Sequence, residues 1–195
     1  ENNPETYVIE GDIWQKTSDI ISGWRKTYRG SPFLIYATPP CQGMSFNGIG
    51  KLMAEIRAGR RPKEDPRNRL IIPTVRIIKE LRPQWVLLEN VATMENTIIR
   101  TEKDEYKKIV DYIIEELSPD YVGKAEVVNC ADYGIPQTRV RLITILTRNS
   151  KGKKFFKKHS SLVPPRTHSE NGNKGLQKWV TLRDAVADLP PLSAE

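Results

Sequence analysis

The stretch "FLIYATPPCQ", residues 33–42, decides how this chain is read. An apolar run passes through Ala37 and Thr38 into two prolines, which can continue neither a helix nor a central strand. The run therefore reads as a short buried strand that stops at Pro39. Cys41 then stands just beyond its carboxyl end, followed by a segment rich in Gly, Ser and Asn up to Gly50. The prolines restrict the approach to the thiol, and the loose segment after it is suited to closing over a ligand.

Similar runs recur on both sides: "YVIEGDI" (7–13), "WVLLENV" (85–91), "RLITIL" (141–146) and, more weakly, "AEVVNC" (125–130). Each reads as a strand. Between them, Tyr106, Ile109, Val110, Ile113, Ile114 and Leu117 recur at steps of three and four and predict an amphipathic helix. Leu70, Ile71, Val75, Ile77, Ile78 and Leu81 predict a second, with Pro73 tolerated in its first turn. Ile20, Ile21, Trp24 and Tyr28 predict a third. Strands alternating with helices imply an α/β fold with a mostly parallel sheet flanked by helices, whose ligands sit beyond the carboxyl ends of the strands.

Two segments break the alternation. Residues 43–69 are rich in Gly and charge and read as a long loop. Arg148 to His168 hold seven Lys or Arg and no Asp or Glu, and read as a basic linker suited to phosphates.

The whole chain, 195 residues with 38% hydrophobic content, suits one globular domain. No run approaches the roughly 20 apolar residues of a membrane span, and the first residues carry no leader pattern, so the expectation is a soluble, cytoplasmic protein. Thirty-one basic against 24 acidic residues give a net charge of +7, which points to a polyanionic partner. The two cysteines, Cys41 and Cys130, read as reduced thiols, and two Cys and two His without ligand spacing argue against a metal site.

Three groups at the strand ends carry chemistry. Cys41 is a potential nucleophile. Glu89 and Asn90 end the "WVLLENV" strand, beside Cys41 if the two strands are parallel neighbours, where a carboxyl can share a proton with a substrate nitrogen. Arg139 and Arg141, two apart at the start of a strand, project from one face and can fork onto carbonyl or phosphate oxygens. Neither His159 nor His168 sits where a base for Cys41 would be expected, which disfavours a cysteine hydrolase.

In that order, "PPCQ" at 39–42, "ENV" at 89–91 and "QTRVR" at 137–141 resemble the core motifs of the cytosine-5 DNA methyltransferases. "GDI" at 11–13, "DPRNRL" at 65–70 and "VTLRDAVADLPPL" at 180–192 resemble further family segments. The resemblance spans nearly the whole chain. It implies a Rossmann-like S-adenosylmethionine-dependent fold, double-stranded DNA as partner, no metal, and a setting in restriction-modification.

By the resemblance Cys41 is the nucleophile that attacks carbon 6 of a flipped-out cytosine. Glu89 acts at ring nitrogen 3, Arg141 holds the carbonyl, and Arg139 supports the cysteine side. Gln42, Ser45 and Asn90 are implied as substrate-binding, and Asp12, Ile13, Pro40 and Leu70 as contacts of the S-adenosylmethionine cofactor. The same motifs fit a tRNA cytosine-5 methyltransferase or a noncatalytic nucleic-acid-binding fragment of this fold. The family's Gly-rich first turn and target-recognition domain have no counterpart here. Residues 1–148 are thus expected to form a partial catalytic domain and 149–195 a basic linker toward an absent domain. Such a fragment is expected to be inactive alone, with unpaired sheet edges open to self-association.

Overall fold

A computed structural model describes residues 6–40, 58 and 66–190. The first helix, α1 (Ile13–Thr27), begins where Asp12 accepts a hydrogen bond from the Trp14 amide at 3.0 Å, satisfying an otherwise orphan donor. Strand β1 (Leu34–Ala37) follows and stops before the prolines, as their geometry requires. Helix α2 (Ile71–Leu81) holds Pro73 in its first turn, where the missing N–H costs nothing. Strand β2 (Trp85–Val91) and a small hairpin of β3 (Ile98–Arg100) and β4 (Tyr106–Lys108) lead into α3 (Ile109–Leu117). Strands β5 (Val122–Asn129) and β6 (Val140–Thr147) complete the main sheet.

The main sheet has the order β1-β2-β6-β5. β1 and β2 are parallel, and β6 pairs antiparallel with both β2 and β5, so only β6 runs against the other three. The connection from β5 to β6 is short, which forces the antiparallel arrangement, whereas β1 reaches β2 through a helical crossover. On one face Val86, Leu88, Leu142 and Leu146 pack with Ile71, Val75 and Ile78 of α2 and Ile109 and Ile113 of α3 in a continuous core. The opposite face presents Trp85, Leu87, Glu89, Ile143 and Ile145, all only partly buried.

Three expectations change. Residues 7–10 form no strand: Tyr7 is 84% and Val8 76% exposed, and without a neighbouring strand among the described residues an apolar run has no ladder to join. Tyr106 lies in β4 rather than in the helix, which starts at Ile109. The basic segment is not a plain linker, because Ser150–His159 form helix α4.

Charge hid that helix, but its cap and its small residue explain it. Asn149 accepts hydrogen bonds from the Lys151 and Gly152 amides, and Gly152 seats the helix on the sheet. A Cβ at Gly152 would come within 2.7 Å of both the Trp85 ring and the Thr147 methyl. Gly152→Val is therefore expected to lower stability by about 1–3 kcal/mol in urea unfolding, while Lys151→Ala on the exposed side changes it by less than about 0.5 kcal/mol. The segment after α4 also folds back. A short β7 (His168–Ser169) pairs with β8 (Gln177–Lys178), and a capping box between Thr181 and Asp184 opens the last helix, α5 (Leu182–Val186).

At the other edge of the sheet, Leu34 and Tyr36 of β1 remain 44% and 58% exposed, with no strand beyond β1 among the described residues. No helix of the described chain is long and apolar enough to cross a membrane.

Candidate active site

The parallel pairing of β1 and β2 sets Ala37 beside Leu88, so both strands deliver their carboxyl ends to one edge of the sheet. Glu89 lies there on the partly buried face. Arg141 is opposite Val91 on β6, which places it diagonally from Glu89 on the same face. Their side chains meet: Arg141 Nε stands 2.8 Å from Glu89 Oε1, with the two side chains 21% and 25% exposed. Arg141 Nη1 also donates to the Val140 carbonyl at 2.8 Å. The result is a carboxylate and a fixed guanidinium side by side at the mouth of the sheet.

Asn90 points the other way because strand side chains alternate. It is buried, donating from Nδ2 to the Pro39 carbonyl at 2.9 Å while its Oδ1 accepts from the Val91 amide at 2.9 Å. This links the end of β2 to the proline pair that precedes Cys41. One of its amide hydrogens and one Oδ1 lone pair are engaged in that clamp, which gives Asn90 a hold on the chain at Pro39.

Arg139 precedes β6 and is exposed, and its side chain has no hydrogen bond or ion pair among the described residues. Its carbonyl accepts from the Cys130 amide at 2.9 Å. Of the two arginines read as a pair, only Arg141 joins Glu89. Cys41, Gln42 and Ser45 lie outside the described residues. Cys130 is a free, half-buried thiol in the turn after β5.

Beside this edge runs a cleft of about 370 Å³ lined by Asp12, Ile13, Ala37, Pro39, Pro40 and Leu70, with Gly11, Thr38 and Thr74 completing it. The four residues read from sequence as cofactor contacts thus share one cleft. Thr38 and Thr74 were missed, since single threonines carry no pattern; Thr74 Oγ1 donates to the Leu70 carbonyl at 2.9 Å. The walls are mostly apolar and a carboxylate stands at the rim. One Asp12 oxygen is engaged by the Trp14 amide, and the other has no partner among the described residues. An apolar slot of this size with one free carboxylate oxygen fits a flat heteroaromatic ring bearing an amino group.

Asp132 was also missed. It is buried in the turn Cys130–Tyr133 and accepts from Trp179 Nε1 at 3.0 Å, while Arg166 Nε lies 3.2 Å from its other oxygen. Nearby, Tyr133 donates to the Pro164 carbonyl at 2.9 Å, and burial holds its hydroxyl above the usual phenol range, so it stays a donor. At Gly134, φ is +83° and a Cβ would come within 2.8 Å of the His168 ring, so the turn leading to "QTRVR" tolerates only glycine there. These contacts fasten the connection that ends at Arg141. The sequence signal for this turn is "ADYGIP" at 131–136, where Gly and Pro follow Asp132.

A family model for the C-5 cytosine-specific DNA methylase matches residues 2–191. The chain is 30% identical over 202 residues to the Type II methyltransferase M.AquIA of Picosynechococcus sp., across 97% of this chain and 73% of that protein. It is 30% identical over 194 residues to the Type II methyltransferase M.DdeI of Desulfomicrobium norvegicum, across 99% of this chain but 40% of that one. A solved Escherichia coli structure described as a prophage-encoded DNA modification methyltransferase superposes with a TM-score of 0.58 at 25% identity, covering 97% of this chain and 44% of the other. The chain thus spans less than half the length of two of these three relatives.

Proposed function

We propose, since the chain belongs to the C-5 cytosine-specific DNA methylase family, that the enzyme containing it methylates carbon 5 of cytosine in double-stranded DNA through a transient bond to Cys41. The observation that carries this reading is the Glu89–Arg141 pair at the carboxyl edge of the sheet. Cytosine presents N3, O2 and its amino group along one edge. The Glu89 carboxyl group can pass a proton to N3 and accept from the amino group, and Arg141 can donate to O2, so the two side chains match that edge.

The Cys41 thiolate forms a carbon–sulfur bond at carbon 6, and the displaced ring electrons make carbon 5 nucleophilic. Glu89 and Arg141 hold the charge that the ring acquires. S-adenosylmethionine, when bound, supplies an electrophilic methyl group to carbon 5. Loss of the carbon 5 proton to a base and expulsion of the Cys41 thiolate then restore the ring. Attack on carbon 6 requires the base to leave the stack, at a cost of a few kcal/mol. Asn90 acts by holding Pro39, which orients the chain toward Cys41, and Arg139 remains in a supporting role. Gln42, next to Cys41, and Ser45, three residues further on, are assigned to the extruded base. On this reading residues 1–148 belong to the catalytic domain, and the segment from 149 carries the chain toward the DNA-reading part.

The cleft lined by Asp12, Ile13, Pro40 and Leu70 would hold the adenosyl end of the methyl donor, with the free Asp12 oxygen accepting from the adenine amino group. Two substitutions separate this role from helix capping. Asp12→Ser keeps a side-chain cap for α1 but does not reach the ring, and is expected to weaken S-adenosylmethionine binding about 10-fold by calorimetry with little change in Tm. Asp12→Ala is expected to lower both. Unchanged affinity in Asp12→Ser would remove Asp12 from the cofactor site.

A further inference from the structure

Helix α4 concentrates charge in a way that the active site does not use. Its ten residues hold five lysines, Lys151, Lys153, Lys154, Lys157 and Lys158, and no acid, so this one helix carries +5 of the net +7 of the chain. At about 100° per residue, all five fall within about 160° of the helix circumference. Gly152 and Phe156 occupy the opposite side, toward the sheet, and four of the lysines are exposed.

Several other lysines of the described residues are paired. Lys16 meets Asp19, Lys79 meets Glu116, Lys107 meets Glu115, and Lys124 meets Glu126. None of the five α4 lysines forms an ion pair among the described residues. A stripe of like charges without counterions raises the local potential and attracts an extended polyanion.

The helix also lies in a useful place. It starts beside Trp85 and Thr147, at the end of the sheet away from Glu89, and packs along β5. In the order β2-β6-β5, that is two strand spacings, or about 10 Å, to the side of the strand bearing Glu89. From Lys151 to Lys158 the stripe extends about 10 Å along the helix.

We infer that the outer face of α4 is a phosphate-contacting surface, lying alongside the duplex whose target cytosine is presented to Glu89 and Arg141, and that it supplies sequence-independent affinity. The inference rests on the DNA reading above. An anionic membrane is the less suitable polyanion, because a membrane-surface helix turns its apolar side to lipid, and here that side is turned to the sheet.

The test is salt-dependent binding of a fluorescein-labelled duplex to the full protein, followed by anisotropy between about 50 and 200 mM salt. In one variant Lys151, Lys154, Lys157 and Lys158 are each changed to Gln. In a control of equal charge loss, Lys16, Lys79, Lys107 and Lys124 are changed to Gln. Each phosphate contact contributes about 0.9 to the slope of log K against log salt, so the α4 variant, with four lysines removed, is expected to lose about 3.6 of slope and at least about 10-fold in affinity at low salt. The control is expected to lose less than about 1 of slope. The single variants Lys154→Gln and Lys157→Gln are each expected to lose about 0.9.

An unchanged slope in the α4 variant, an equal loss in the control, or no duplex binding at low salt would overturn the inference. So would lysine-dependent binding to phosphatidylserine vesicles with duplex binding intact. A Cys41-dependent adduct together with an unchanged slope would remove this inference and leave the methylation reading standing.

Discussion

Cys41→Ser, in the enzyme that contains this chain, is expected to abolish the covalent complex with a duplex carrying 5-fluorocytosine at its target, and to reduce methyl transfer to background. The fluorinated base is informative because fluorine at carbon 5 blocks the elimination that normally releases the thiol, so the carbon–sulfur bond persists through denaturing electrophoresis. A thiolate is both a strong nucleophile and a good leaving group, whereas an unactivated serine hydroxyl is neither. The effect should be complete. Cys130, the other thiol, sits in the turn after β5, and Cys130→Ser should leave the adduct intact. An adduct that survives Cys41→Ala would mean that another residue attacks.

Glu89→Gln is expected to lower single-turnover methyl transfer by about 100-fold or more at saturating DNA and cofactor. Glutamine keeps the shape and part of the hydrogen bonding, but it cannot deliver a proton to ring nitrogen 3. The loss should fall on the rate rather than on DNA affinity, because the charge that Glu89 neutralises develops only as Cys41 attacks. Folding should barely change: the Glu89–Arg141 pair keeps about a fifth to a quarter of each side chain exposed, and such a pair contributes about 1 kcal/mol or less. A Glu89→Gln enzyme with an unchanged single-turnover rate would leave the carboxylate as only a partner for Arg141.

Local pattern made several elements readable. The prolines after Thr38 end β1 because no proline can extend a strand's ladder, and the steps of three and four in 71–81 and 109–117 locate two core helices because one apolar face must be buried. The ordered motifs likewise named Glu89 and Arg141 before any contact between them was visible. Pattern misled where it depended on a partner. "YVIE" has the composition of a strand, yet a strand exists only with a neighbour to bond, and Tyr7 and Val8 stay exposed. The lysines of 151–158 resembled a solvated linker because charge says nothing about a cap at Asn149 or a fit at Gly152.

What the sequence by itself determined is the set of chemical groups and their order along the chain: a thiol after two prolines, a carboxyl and an amide at a strand end, two arginines before the next strand. These depend on residue type and local backbone limits, which neighbours in sequence decide. Which of those groups stand together was decided only by the tertiary structure. The register between β2 and β6 puts Glu89 and Arg141 on one face, 2.8 Å apart, while the alternation of the same strand turns Asn90 to the opposite face, where it holds Pro39. The physical reason is the two-residue period of a strand. A single step of register would exchange the two faces, and register comes from packing Val86, Leu88, Leu142 and Leu146 against α2 and α3, an interaction between segments far apart in the chain.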